Sequence, residues 1–134
     1  MNRIFIDTSA IIALLSQNDT AHKQSVKIFA RLQNKQAKLI STSYVLVETY
    51  ALIQRRFGYQ ALLSFRTEFA PLIDIIWISA NEHEQALDFL AAKKINDLSL
   101  VDAVSLTIIK RENIHYAFAF DRHFQIDAIV QMLT

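Results

Sequence analysis

The sequence predicts an α/β protein, a three-layer sandwich in which a central parallel sheet of four or five strands is flanked by helices on both faces. Short apolar runs alternate with longer helix-patterned segments along the whole chain, the signature of βα units. Runs such as Ile4-Phe5-Ile6 and Ile75-Ile76-Trp77-Ile78 carry no polar residue at alternate positions, as expected of strands covered on both faces. One Gly and one Pro in 134 residues leave too few turn-formers for a many-turned β-sandwich.

Each element has a local reason. Arg3 to Ile6 reads as the first strand, closed by Asp7. Thr8 or Ser9 is placed to cap a helix through Ser16, with Ile11, Ile12, Leu14 and Leu15 as its apolar content. Asn18-Asp19-Thr20 is a turn and cap for a helix to about Asn34, with Val26, Phe29 and Leu32 on one side. Lys38 to Ser41 is the second strand. Ser41-Thr42-Ser43 can cap a helix to Phe57, which Gly58 stops. A helix from Tyr59 to about Phe69 follows and breaks at Pro71. Ile73 to Ser79 is the third strand, and Asn81 caps a helix to about Lys94. After the loop Asn96-Asp97-Leu98, Ser99 and Asp102 form an S-x-x-D capping box that opens a helix to Glu112. Ala117 to Phe120 is the fourth strand, ending at Asp121. Ala128 to Leu133 fits either an edge strand or a helix.

Composition bounds the function. With 52% apolar and 20% charged residues, the chain reads as one folded domain over residues 1–134 and not as a disordered segment. The absence of Cys excludes disulfides and cysteine-zinc sites, and fits a cytoplasmic location. No apolar run approaches the roughly 18 residues of a membrane span, and the apolar part of the Met1–Asp7 segment is short for a signal peptide. Fourteen Lys and Arg stand against 13 Asp and Glu, so any nucleic-acid role must come from local arrangement.

The chemistry concentrates in carboxylates. In open parallel sheets, ligands bind beyond the carboxyl ends of the strands. Asp7 and Asp121 directly follow predicted strands, and Asp102 opens a helix that should start at the same edge. Glu48 has Tyr44, Val45, Ala51 and Leu52 as helical neighbours, so it should point inward or along the core margin. Taken singly, Asp7 could be an N-cap, Asp102 a capping-box acid and Asp121 a turn residue. Together, four acids at one edge repel one another, by about 4 kcal/mol per pair at 4 Å and an effective dielectric of 20. Raised pKa values, basic partners or a divalent cation relieve that repulsion. No Lys or Arg flanks Asp7, Glu48 or Asp102. Hard oxygen ligands favour Mg²⁺ or Mn²⁺ over Zn²⁺, and a carboxylate-held Mg²⁺ is common machinery for phosphoryl chemistry. His22, His83, His115 and His123 show no metal-ligand spacing and are assigned surface or packing roles. A single Gly excludes a P-loop. Asp7-Thr8-Ser9 departs from the D-x-D of a phosphohydrolase. A phosphohydrolase of another α/β family and a non-catalytic RNA- or protein-binding module are the competing readings.

At these residues the sequence resembles the PIN-domain family, and within it the VapC-type toxins. The resemblance rests on Ile4-Phe5-Ile6-Asp7-Thr8-Ser9-Ala10, Ser43-Tyr44-Val45-Leu46-Val47-Glu48-Thr49, Leu98-Ser99-Leu100-Val101-Asp102-Ala103-Val104-Ser105 and Ala119-Phe120-Asp121-Arg122-His123-Phe124, in that order along the whole chain. It implies a Mg²⁺- or Mn²⁺-dependent ribonuclease, the toxin of a toxin–antitoxin pair, with Asp7, Glu48, Asp102 and Asp121 as its acidic quartet. The mechanism expected of such a site has Asp7, Asp102 and Asp121 binding one or two metal ions, directly or through water, and Glu48 either holding a metal-bound water or helping to activate the nucleophile. Thr8 or Ser9 would be supporting hydroxyls, and Asp97 an extra acid nearby. The tail lacks the Gly often found after the last motif, which leaves its final strand open.

Two further expectations concern partners. The basic pairs Arg55-Arg56 and Lys110-Arg111 close helices that start at the acidic edge, which puts them roughly 10–20 Å from it. Lys93-Lys94 leads by a short loop into Ser99, and Arg122 follows Asp121, so Lys93, Lys94 and Arg122 are expected to bind RNA at the mouth. Leu52, Ile53, Phe57, Leu62, Leu63, Phe65 and Phe69 exceed the needs of one helix face. They form either a thick core or a surface for a homodimer or an antitoxin helix.

Overall fold

The computed structural model describes residues 2–134. Among them five strands form one sheet: β1 (Arg3–Ile6), β2 (Lys38–Thr42), β3 (Ile73–Ile76), β4 (Tyr116–Phe118) and β5 (Gln131–Met132). Their order is β3-β2-β1-β4-β5, and every pairing is parallel. Six α-helices connect them: α1 (Thr8–Leu15), α2 (His22–Asn34), α3 (Ser43–Phe57), α4 (Tyr59–Glu68), α5 (Ala80–Lys93) and α6 (Leu100–Arg111).

Side chains of β1 split between the two faces of the sheet, because successive residues of a strand point to opposite sides. Ile4 and Ile6 join Ile11 and Ile12 of α1, Ile28 and Leu32 of α2, Ile53 of α3 and Phe65 of α4 in one core. Phe5 joins Leu106 and Ile109 of α6 and Phe124 in the other. A third cluster, Ala86 with Ala103, Val104 and Ile108, seats α5 on α6. The sheet with helices packed on both faces gives the three layers that the apolar runs predict.

Several boundaries move, each for a local reason. Asp7, and not Thr8 or Ser9, caps α1, its carboxylate accepting the Ser9 N–H. Asp19 accepts from the Ala21 N–H at 2.8 Å in a turn, and α2 begins after Ala21 with no side-chain cap. Ser79 caps α5 where Asn81 was expected: with Glu82 it forms a reciprocal capping box, which Asn81 lacks. β3 therefore ends at Ile76. β4 ends at Phe118, so Asp121 stands three residues past the strand and not directly after it. The tail resolves as a 3-10 stretch, Arg122–Ala128, followed by edge strand β5. Gly58 carries φ of +94°, a value that L side chains rarely adopt, and it joins α3 to α4 with no intervening loop.

The apolar surplus between Leu52 and Phe69 is mostly core. Phe65 is 3% exposed, stacks on Phe69 and meets Tyr50 edge-on. It is not the exposed interface residue that the sequence allowed. Of that set Phe57 faces outward, beside the exposed Tyr59. No helix among the described residues is long and apolar enough to cross a membrane.

Candidate active site

The strand order reverses direction at β1: the chain leaves β1 toward β2 on one side and returns to β4 on the other. Such a switch point opens a crevice beyond the strand ends. Here it is a cavity of about 490 Å³, whose lining includes Asp7, Glu48, Asp97, Asp102, Asp121 and His123. All four acids singled out in the sequence reach it, and each is delivered by a different element.

Asp7 leaves the end of β1 and is 4% exposed. Its Oδ2 accepts from the Ser9 N–H at 3.1 Å and from Ser9 Oγ at 2.7 Å. Ser9 Oγ in turn accepts the Phe120 N–H at 3.0 Å, which ties Asp7 to the segment carrying Asp121. Thr8 also lines the cavity but makes no such contact with an acid: its hydroxyl meets Thr49 Oγ1 at 2.9 Å. Glu48 sits in the second turn of α3, half-buried, and Leu52 and Arg56, one and two turns further on, line the same cavity. Asp102 lies in the first turn of α6, where its N–H donates to Ser99 Oγ at 3.0 Å. This is half of the expected capping box, and the Asp102 carboxylate turns instead toward His123. Asp121 caps the 3-10 stretch, its Oδ1 accepting the His123 N–H at 2.9 Å.

Sequence reasoning missed His123. Its Nδ1 lies 2.7 Å from Asp121 Oδ1 and 3.3 Å from Asp102 Oδ2, and its Nε2 lies 3.4 Å from Asp97 Oδ1. Both ring nitrogens are buried and neither makes a hydrogen bond of acceptable geometry. The only signal was its place two residues after Asp121; the contacts to Asp97 and Asp102, over 20 positions away, come from folding. Asp97 sits on the rim, bound to Arg122 at 2.7 Å.

The electrostatics are those of a crowded acid cluster. Burial pushes the Asp7 carboxyl from 3.8 up to about 7, against the opposing Ser9 hydrogen bonds, and the charges of Asp102 and Glu48 add to the rise. Burial also raises Asp102, reinforced by Asp121. The Arg122 hydrogen bond, with the His123 imidazole close by, holds Asp97 below the usual range. A cation would relieve this repulsion, and the donor set fits a divalent one. One donor atom each from Asp102, Asp121 and His123 lie within 4.8 Å of one another. The 2.7 and 3.3 Å gaps from His123 Nδ1 to the two carboxylates bracket the ~3.0 Å edge of an octahedron with ~2.1 Å bonds. The orphaned ring nitrogens are a second observation pointing the same way.

The basic residues do not follow the sequence map. Lys93 is ion-paired to Asp127 and lines a separate cavity with Lys110 and Asn113; Lys94 is exposed and does not line the acidic one. The loop assumed to hold them near Ser99, residues 95–99, can span about 17 Å, so sequence proximity did not ensure contact. Arg122 does stand at the rim, through Asp97. Arg56 lines the acidic cavity, contrary to its assignment to the far end of the helix. Side chains lean toward the N-terminus of their helix, and residues four apart share a face, so a long arm at 56 returns toward 52 and 48.

Comparisons with known proteins agree with this geometry. The PIN domain family matches residues 4–127. The 23S rRNA-specific endonuclease VapC20 of Mycobacterium tuberculosis is 28% identical over 130 residues, covering 96% of this chain and 97% of the relative. The crystal structure of VapC20, described as a sarcin-ricin loop cleaving toxin, superposes with a TM-score of 0.77 over 90% of this chain and 92% of that one. A toxin-antitoxin complex from Klebsiella pneumoniae shares the fold at a TM-score of 0.67 and 17% identity, covering 98% of this chain and 96% of that one.

Proposed function

This chain belongs to the PIN domain family, and from that premise we propose that it is an endoribonuclease toxin that hydrolyses an RNA phosphodiester with the help of Mg²⁺ or Mn²⁺. The observation that carries the reading is the convergence of Asp7, Glu48, Asp102 and Asp121 on one cavity at the β1–β4 switch point. Ribosomal RNA is the substrate class to test first, because VapC20, the relative at 28% identity, is a 23S rRNA endonuclease.

Asp102, Asp121 and Asp7 would hold the metal, with His123 as a nitrogen donor beside the first two. When bound, the cation supplies Lewis acidity toward a phosphoryl oxygen and makes water more acidic. Glu48, which lines the same cavity, would orient the attacking water and accept its proton. Ser9 holds the Asp7 carboxylate in one orientation, so its charge faces the cavity without reorganisation. Thr8 supports through its hydroxyl contact with Thr49, and Arg122 and Asp97 form a rim pair that an incoming phosphate can open.

The solved toxin–antitoxin relatives support a protein antitoxin as partner. The outward-facing Phe57 and Tyr59 at the α3–α4 junction are the apolar contacts offered for that partner or for a homodimer. A cytoplasmic location goes with this reading. The test is cleavage of an RNA stem-loop containing the sarcin-ricin sequence by purified protein. Cleavage that requires Mg²⁺ or Mn²⁺, stops with EDTA and disappears in Asp102→Asn supports the proposal; cleavage indifferent to EDTA overturns it.

A further inference from the structure

Six carboxylates and one arginine line the cavity: Asp7, Asp19, Glu48, Asp97, Asp102 and Asp121 against Arg56. An acid-rich groove repels a polyanion, so something other than bulk charge must hold RNA across it. Arg56 makes no ion pair or side-chain hydrogen bond among the described residues, although six acids share its cavity. Asp19, on the α1–α2 loop of the same cavity, has one oxygen committed to the Ala21 N–H. The Arg56 side chain is exposed. It ends a stripe on α3, Glu48-Leu52-Arg56, with spacings of four, so it stands about 12 Å along the helix from Glu48. Arg55, its neighbour, points about 100° away round the helix and does not line the cavity. Compensation of the α3 dipole, which both arginines provide, does not explain why only one faces the groove.

We propose that Arg56 is an RNA-phosphate receptor, binding a backbone phosphate on the flank of the scissile one and fixing the direction in which the strand crosses the acidic cavity. The proposal rests on the ribonuclease reading above. A guanidinium presents a planar fork of donors that matches two phosphate oxygens, and an unpaired one binds without first breaking an ion pair. The groove then has two ends of different chemistry, a carboxylate end that holds a cation at the reacting phosphate and a guanidinium end that grips the strand. Leu52, between them, offers an apolar surface beneath the intervening nucleotide.

The experiment measures binding of a labelled single-stranded oligouridine, and of the sarcin-ricin stem-loop, to the cleavage-impaired Asp102→Asn protein with and without Arg56→Gln, across a salt titration. Arg55→Gln in the same background is the control for the helix dipole, and circular dichroism checks that each variant is folded. Arg56→Gln should lower the salt slope by about one unit, so that its affinity deficit shrinks about three- to fourfold between 50 and 200 mM salt. Arg55→Gln should leave the slope unchanged, and Arg56→Lys should restore it while recovering only part of the affinity. In the otherwise wild-type enzyme, Arg56→Gln should raise KM with little change in kcat and leave Mn²⁺ affinity unaltered. Equal slopes for Arg56→Gln and its parent overturn the proposal while the ribonuclease reading stands; this is also the outcome if Arg56 serves an acidic protein partner. If the parent itself binds neither RNA, the ribonuclease reading fails and takes the proposal with it.

Discussion

The hydroxyls of Thr8 and Thr49 meet at 2.9 Å in the protein interior, and each belongs to the residue that directly follows an acid lining the candidate site, Asp7 or Glu48. Thr49 donates to the Val45 carbonyl at 2.7 Å, so Thr8 is the donor of the pair. The bond fastens α1 to α3, the two helices whose residues bring Asp7 and Glu48 to one cavity. Thr49→Val keeps the shape but removes the acceptor, leaving only the long 3.4 Å contact to Val45 O for the Thr8 hydroxyl. It should destabilise the fold by about 1–3 kcal/mol, and Thr8→Val added to it should cost much less than the sum of the two singles. Urea denaturation of the four proteins tests this; strict additivity would show that the pair is not coupled.

Stability without metal should fall as pH rises. Asp7 titrates near 7 in the folded protein against 3.8 in its ordinary setting, so the folded state binds more protons between those values. The favourable contribution is complete below pH 3.8 and is lost as pH rises through 7, by about 4 kcal/mol from this group. Asp102 is shifted the same way. Melting curves in EDTA should therefore show a higher midpoint at pH 5 than at pH 8, and millimolar Mn²⁺ should recover the loss at pH 8. A midpoint unchanged between pH 5 and pH 8 in EDTA would refute the buried-acid account.

Asp102→Asn should cut RNA cleavage by about a hundredfold or more without lowering the melting temperature in EDTA. It deletes one member of a mutually repelling set while the backbone N–H of residue 102 keeps donating to Ser99 Oγ. Undiminished cleavage would remove Asp102 from the site.

His123→Ala should weaken Mn²⁺ binding by about tenfold or more, and Mg²⁺ binding less, because nitrogen donors favour the transition metal. Calorimetric titration gives the affinities, and a nitrogen coupling in the Mn²⁺ spin-echo spectrum of the wild type should vanish in the variant. A wild-type spectrum with no nitrogen coupling would exclude His123 as a ligand.

Charge at the α3–α4 hairpin should act according to burial. Phe65→Glu should unfold the protein, since Phe65 is 3% exposed and stacked between aromatic neighbours. Tyr59→Glu, at 61% exposure, should keep the fold and reduce self-association in light scattering. A folded, soluble Phe65→Glu protein would contradict the packing described.

The fold class, the order of the elements through β4 and the four acids that share the cavity were written in local sequence. Buried parallel strands need continuous apolar runs, helices need their periodic faces, and strand ends at a sheet edge leave acids such as Asp7 where ligands bind. Hydrogen-bond caps were less legible, because Ser79 and Asn81 are both plausible N-caps and only the reciprocal partner, Glu82, chooses between them. What the sequence could not determine was which distant side chains share the cavity. His123 meets Asp102 and Asp97 across 21 and 26 positions, and Arg56 returns toward Glu48 while Lys93 is drawn away to Asp127. Local patterns fix the direction of each backbone element; the place of a long charged side chain depends on how the elements pack and on which opposite charge lies within reach, and only the tertiary structure decides that.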